Sequence, residues 1–122
     1  MATGSPFAPV RYDGRTIPIA QCNNIFIFPA MGLGLVASGA RRVTDAMVLG
    51  AARAFATNSP ALKDSSASLL PPLTDIRRVA AQIAIAVGLE AQNGGVAPEL
   101  AEDELRQRVK AAQWMPAYPS NA

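Results

Sequence analysis

Ile25-Phe26-Ile27-Phe28-Pro29-Ala30-Met31-Gly32-Leu33-Gly34-Leu35-Val36-Ala37-Ser38-Gly39-Ala40 is a stretch of sixteen residues without a charge, and how it folds decides what the rest of the chain can do. The four residues before Pro29 form an apolar run too short for periodicity to separate a buried strand from the lead-in to a helix. Pro29, with no amide hydrogen, is expected to end whichever element that is. Beyond it, Ala30, Gly32, Gly34, Ala37, Ser38 and Gly39 alternate with Met31, Leu33, Leu35 and Val36. That composition suits a buried helix that approaches its neighbours closely, since each glycine costs a helix about 1 kcal/mol against alanine and packing has to offset it. A membrane span needs roughly 18 to 20 apolar residues; this stretch is shorter and broken by proline and glycine, so no membrane partner is expected.

Upstream lies a proline-broken arm. Pro6, Pro9 and Pro18 interrupt any helix in the first twenty-four residues, and Tyr12-Asp13-Gly14-Arg15 signals a turn. Downstream the signals are helical. Thr44 is a candidate N-cap with Asp45 in the first turn, followed by Met47, Val48, Ala51, Ala52 and Phe55 as one apolar face. Asn58-Ser59-Pro60 stops that helix, and the Ser/Pro-rich 61–72 segment reads as an exposed connection. A further helix opens at Thr74 or Asp75. Its stripe is Ile76, Val79, Ala80, Ile83, Ala84 and Val87, while Ile85 and Leu89 carry apolar surface round the cylinder, so burial on more than one side is expected. Asn93-Gly94-Gly95 ends it. The last helix is expected from Pro98, acidic early and basic late, with Glu102–Arg106 and Glu104–Arg108 at i, i+4 and with Leu100, Leu105, Val109 and Ala112 to dock it. Trp114 to Pro119 reads as a packing strap. The chain is therefore mainly α, with about four helices and at most one or two short strands. It divides into 1–28 as an extended arm and short strand, 29–95 as a helical core, and 96–122 as C-terminal helix and tail.

At 122 residues, half of them apolar, one domain with a modest core is the upper bound. Cys22 is the single cysteine and histidine is absent, which excludes disulfides, Cys/His zinc sites and His-based triads built from this chain alone. The net charge of +2 comes from scattered basic residues, weak grounds for nucleic acid, which is not expected as a partner. Met1 to Phe7 lacks the basic and apolar regions of a secretory signal, so a cytoplasmic location is expected.

Each candidate site has a plainer rival. Gly32-Leu33-Gly34-Leu35-Val36-Ala37 fits the G-x-G-x-x-A dinucleotide fingerprint, yet Pro29 separates it from the apolar run and Ala51-Ala52-Arg53 stand where an acidic ribose ligand belongs. Close helix packing is the better reading. Asn23 and Asn24 precede a buried element, where two amides can donate to a carboxylate or hydroxyl without titrating; from composition alone, an Asn turn explains them more simply. Arg41-Arg42 can hold an anion or simply stabilise a helix C-terminus. Cys22 has no visible activating partner and is expected to be a small buried packing residue. The acidic run Glu99 to Glu104 is accounted for by a solvated first helical turn.

Taken together, Ala2-Thr3-Gly4-Ser5-Pro6-Phe7, Gln21-Cys22-Asn23-Asn24-Ile25-Phe26-Ile27-Phe28-Pro29, Gly32-Leu33-Gly34, Ala37-Ser38-Gly39-Ala40-Arg41, Thr44-Asp45, Leu70-Pro71-Pro72-Leu73, Asp75-Ile76-Arg77 and Ile83-Ala84-Ile85-Ala86-Val87 follow in order a pattern that resembles the C-terminal end of malic enzymes. Those enzymes oxidise and decarboxylate malate to pyruvate with NAD or NADP and with Mg²⁺ or Mn²⁺. The resemblance covers nearly all the chain and implies the C-terminal portion of an α/β Rossmann-type NAD(P)-binding domain, in an enzyme that is a homo-oligomer. It also implies that Asn23 and Asn24 lie at the malate end of the site, where one or both hydrogen-bond the substrate. The family's catalytic tyrosine and lysine, its acidic metal ligands and its dinucleotide fingerprint belong upstream, so none can be carried onto these residues, and the chain alone is expected to be inactive. Met1 is then expected to be a truncated start, an isolated domain, or an internal methionine taken for a start. Where the family has Gly-Gln-Gly-Asn-Asn this chain has Ala20-Gln21-Cys22-Asn23-Asn24, which would strain any position needing positive φ. The alternatives are a free-standing helical interaction module or a functionless remnant.

Overall fold

Pro29 sits in the first turn of α1 (Phe28–Ser38), where a missing amide hydrogen is harmless because that amide has no helical acceptor. The expectation that Pro29 ends an element is corrected: it begins one. Residues 1–114 are described in this computed structural model. Asn24–Phe26 form one turn of 3-10 helix that runs on into α1, so the apolar tetrad is a helix lead-in and not a strand. Gly39, at φ 70°, closes α1 in the left-handed conformation that side chains resist.

Thr44 caps α2 (Asp45–Ala56) as expected, its hydroxyl accepting the Met47 N–H at 3.4 Å. The buried face is rotated from the one expected. Met47, Gly50 and Ala51 are buried and Phe55 half-buried, whereas Val48 and Ala52 face outward. Gly50 draws the contact line toward itself because the Glu90 Cγ lies 2.8 Å from where its Cβ would stand. Phe55 stacks on Phe26 with ring centroids 5.1 Å apart.

The long helix α3 (Ile76–Asn93) is the centre of the body. One side, through Val79, Ile83 and Val87, packs on Phe26, Ala30, Met47 and Ala51. The other carries Ala84 against Ala37, Leu105 and Val109, with Ile85 and Leu89 packed on that second cluster, which is the burial on two sides that the sequence implied. Gly95, at φ 65°, turns the chain after α3, and the Val96 N–H returns to the Ala91 carbonyl at 2.9 Å. Helix α4 (Glu102–Ala112) starts four residues later than expected. The delay has a non-local cause: the Leu100 N–H donates to Gln92 Oε1 at 2.7 Å, holding the chain extended across the end of α3. Leu105 and Val109 dock α4, and both expected ion pairs form, Glu104 to Arg108 at 2.8 Å and Glu102 to Arg106. The strap expected beyond Trp114 lies outside the described residues.

The mainly-α class holds, and the arm carries more strand pairing than the one or two strands expected. Asp13 and Gly14 both have positive φ, the signature of a two-residue hairpin turn, and join β2 (Val10–Tyr12) to β3 (Arg15–Ile17). Flanking that hairpin, β1 (Ala2–Thr3) pairs in parallel with β4 (Ala20–Gln21). Between α2 and α3 the connection is largely exposed, apart from buried Pro71. Arg78 ties both of its ends, donating to Asn58 Oδ1 at 2.9 Å and pairing with Asp75 at 2.8 Å. Within it, hydrogen bonds from the Ser66 hydroxyl and amide hold the Asp64 carboxyl below its ordinary pKa.

Candidate functional site

Asn23 and Asn24 occupy the turn by which a parallel-paired strand hands on to a helix. The Cys22 N–H extends the β1–β4 pairing by donating to the Thr3 carbonyl at 2.8 Å, and the backbone then turns away. Asn23 is extended, and its Oδ1 accepts the Ile25 N–H at 3.1 Å, capping the 3-10 turn. The Asn24 carbonyl accepts the Ile27 N–H at 3.1 Å. This uses one polar atom of the Asn23 side chain. Its Nδ2 and the Asn24 side-chain amide make no hydrogen bond among the described residues, and both residues are exposed. Ala20 and Cys22 keep negative φ, since Asp13 is the one non-glycine residue with positive φ among those described, so the two replaced glycines leave no strain.

The other candidates resolve against chemistry of their own. Cys22 is exposed rather than buried, in the turn that leaves β4. Arg41 Nη2 donates to the Gly95 carbonyl at 3.1 Å and its N–H to Val96 at 2.9 Å, fastening the end of α1 to the loop after α3. Arg42 is exposed, as are Glu99 and the acids of the first α4 turn. The G-x-G-x-x-A segment lies inside α1, not in a strand-to-helix turn. A Cβ on Gly34 would stand 2.7 Å from the Ala84 carbonyl oxygen and 2.9 Å from Val87, so this glycine serves close packing on α3. Gly32 faces open space.

Two hollows flank this region. One, of about 340 Å³, is apolar and open between α1, α3 and the end of α4, with Pro29, Gly32, Leu33, Val36, Ala80 and Trp114 among its walls. The second, of about 260 Å³, separates the arm at Gln21 and Phe26 from Leu70, Pro71 and Leu73 of the connection. Neither includes Asn23 or Asn24. Among the described residues, no three His, Cys, Asp or Glu side chains are placed to share a metal ion, so the residues present do not fit a divalent cation. No helix among them is long and apolar enough to cross a membrane. The Arg78 hub went unread in the sequence; its partner Asn58 lies twenty residues away, beyond any local pattern.

A parallel strand pair feeding a helix through a capped turn, with further helices packed behind, defines the helical end of an α/β Rossmann-type domain. The chain belongs to the malic enzyme family, for residues 1–92 match the family model described as malic enzyme, NAD binding domain. It is 51% identical over 120 residues to an NAD-dependent malic enzyme of Edwardsiella ictaluri, covering 98% of this chain and 21% of that protein. A second relative, an NAD-dependent malic enzyme of Cronobacter sakazakii, is 50% identical over the same shares. The crystal structure of malic enzyme from Pyrococcus horikoshii aligns with a TM-score of 0.67 and 27% identity, over 91% of this chain and 23% of that one. The chain spans about one fifth of the length of the curated relatives it matches.

Proposed function

We propose that this chain is the C-terminal part of the NAD-binding domain of an NAD-dependent malic enzyme, and that Asn23 and Asn24 hold malate when the rest of that enzyme is present. One observation carries the reading: the pair sits at the carboxyl end of β4, in the turn into α1, where α/β sheets bind their ligands. Neutral amides donate to a carboxylate or hydroxyl without titrating, and the positive end of the α1 dipole favours an anion there. The relatives' names support NAD as the cofactor; NADP is the alternative. Neither asparagine can take a proton from the substrate hydroxyl or accept a hydride. The oxidation, the decarboxylation to pyruvate and the Mg²⁺ or Mn²⁺ ligands therefore fall to residues outside this chain, in a cytoplasmic homo-oligomer.

The test is kinetic. In a full-length enzyme carrying this segment, Asn23→Ala and Asn24→Ala should each raise KM for malate by about ten- to a hundredfold, the loss of a hydrogen bond to a charged group, with KM for NAD unchanged. An unchanged malate KM overturns the assignment. Malate-dependent NADH formation by the 122-residue chain alone, with Mn²⁺ present, overturns the division of labour. The outward apolar side of α1 favours a competing reading, a free-standing interaction module, which requires a defined oligomer of this chain alone in size-exclusion chromatography.

A further inference from the structure

We infer that the outer face of α1 is the seam joining this segment to the remainder of the malic enzyme chain, with Gly32 as the point where a segment of that remainder crosses at backbone-close distance. This rests on the reading just given. Helix α1 contains no charged residue, whereas α2, α3 and α4 all carry charges. Its outward residues are apolar: Phe28 is 65% exposed and Val36 75%, one turn to either side of Gly32. That stripe runs into the open apolar hollow walled by Leu33, Ala80 and Trp114, the last of these 75% exposed. Contiguous uncovered apolar surface of this kind marks a contact face.

Gly32 is the decisive residue. A Cβ there would meet nothing within 4 Å, and its φ is not positive, so neither the packing nor the backbone of the described residues calls for glycine. Two residues on, Gly34 is fully explained by Ala84 and Val87. Glycine at an exposed mid-helix position weakens the helix. A neighbour from outside accounts for it, because a side chain at position 32 would hold that neighbour away. The occupant follows from length. About four-fifths of each curated relative lies outside this chain, and the stripe begins four residues after Asn24, so the body that completes the substrate site also reaches Phe28.

The experiment measures Gly32→Leu and Val36→Glu in two settings: this chain alone, and an enzyme in which this chain replaces the corresponding fifth of the Edwardsiella ictaluri relative. Alone, Gly32→Leu should melt at the same temperature or a few degrees higher, since leucine is the better helix former and meets no clash. In the whole enzyme both substitutions should lower the melting temperature by several degrees and reduce the yield of active protein. Val48→Glu, at an exposed valine of α2, should change neither setting. Equal tolerance in both settings overturns the inference, as does a dimer of the isolated chain that Val36→Glu dissolves, which would make a second copy the occupant. If the unsubstituted hybrid fails to oxidise malate, the functional reading falls and takes this inference with it; if it turns over and the substitutions are harmless, the inference alone falls.

Discussion

Helices α1 and α4 have eleven residues each and both pack on α3, yet they differ in almost every residue they leave uncovered. Six residues of α4 are charged, and its exposed surface is Glu102, Asp103, Glu104, Arg106, Gln107, Arg108 and Lys110, with Ala111 and Ala112 at its end. In α1 none is charged, and the exposed surface is Phe28, Pro29, Gly32 and Val36. They also seat differently. Helix α4 drives Leu105 into the space over Gly88, where a Cβ would come within 2.9 Å of its methyl carbons; α1 brings Gly34 onto the α3 backbone itself. One helix is finished against water on its outer side. The other is finished on its inner side only, and its outward composition is that of a protein interior.

The largest expected effect breaks the better-solvated of the two. Leu105 is fully buried and only Val109 shares its task, so Leu105→Ala should cost about 3 to 4 kcal/mol and release α4 before the rest. The urea midpoint should fall with it. A loss below about 1 kcal/mol would mean that α4 rests on α3 without being held there. Next comes Gly34→Ala. Alanine is the better helix former by about 1 kcal/mol, but the Ala84 carbonyl oxygen is backbone and cannot step aside, so the variant should lose about 2 kcal/mol net. The sign is what matters: a stabilised Gly34→Ala would remove the distinction between this glycine and Gly32.

These contrasts were only partly legible in the chain. Thr44, the stop at Asn93-Gly94-Gly95 and the Ile76, Val79, Ile83 and Val87 stripe act within a turn or two of themselves, and all three appear as read. Pro29 was misread because proline forbids the middle of a helix and favours its first turn, and the tetrad before it did not say which applied. The α2 face was assigned from apolar identity, whereas the seam follows Gly50, whose only mark in sequence is the lack of a side chain. The start of α4 depends on Gln92 meeting Leu100, and three-residue strands such as β2 are too short to show alternation. As for the site, the capping role of Asn23 was visible as a turn, but composition could not tell a turn from a ligand's donor. Family resemblance supplied the second meaning, and the parallel pairing of β4 supplies its physical setting.

The smallest effect sharpens the comparison at its charged end. The Glu104–Arg108 pair sits on the water side of α4 with both side chains about half exposed, so its attraction is screened and offset by the ordering of two long side chains. A double-mutant cycle of Glu104→Ala with Arg108→Ala should give a coupling of about 0.2 to 0.5 kcal/mol that fades toward zero as salt approaches about 1 M. Outward charges on α4 would then do little for stability, and their use would be to keep that face in water. A salt-resistant coupling well above 1 kcal/mol would place the pair in a desolvated contact instead. In that case α4, like α1, would have its outer side turned toward protein, and the contrast between the two helices would have to be withdrawn.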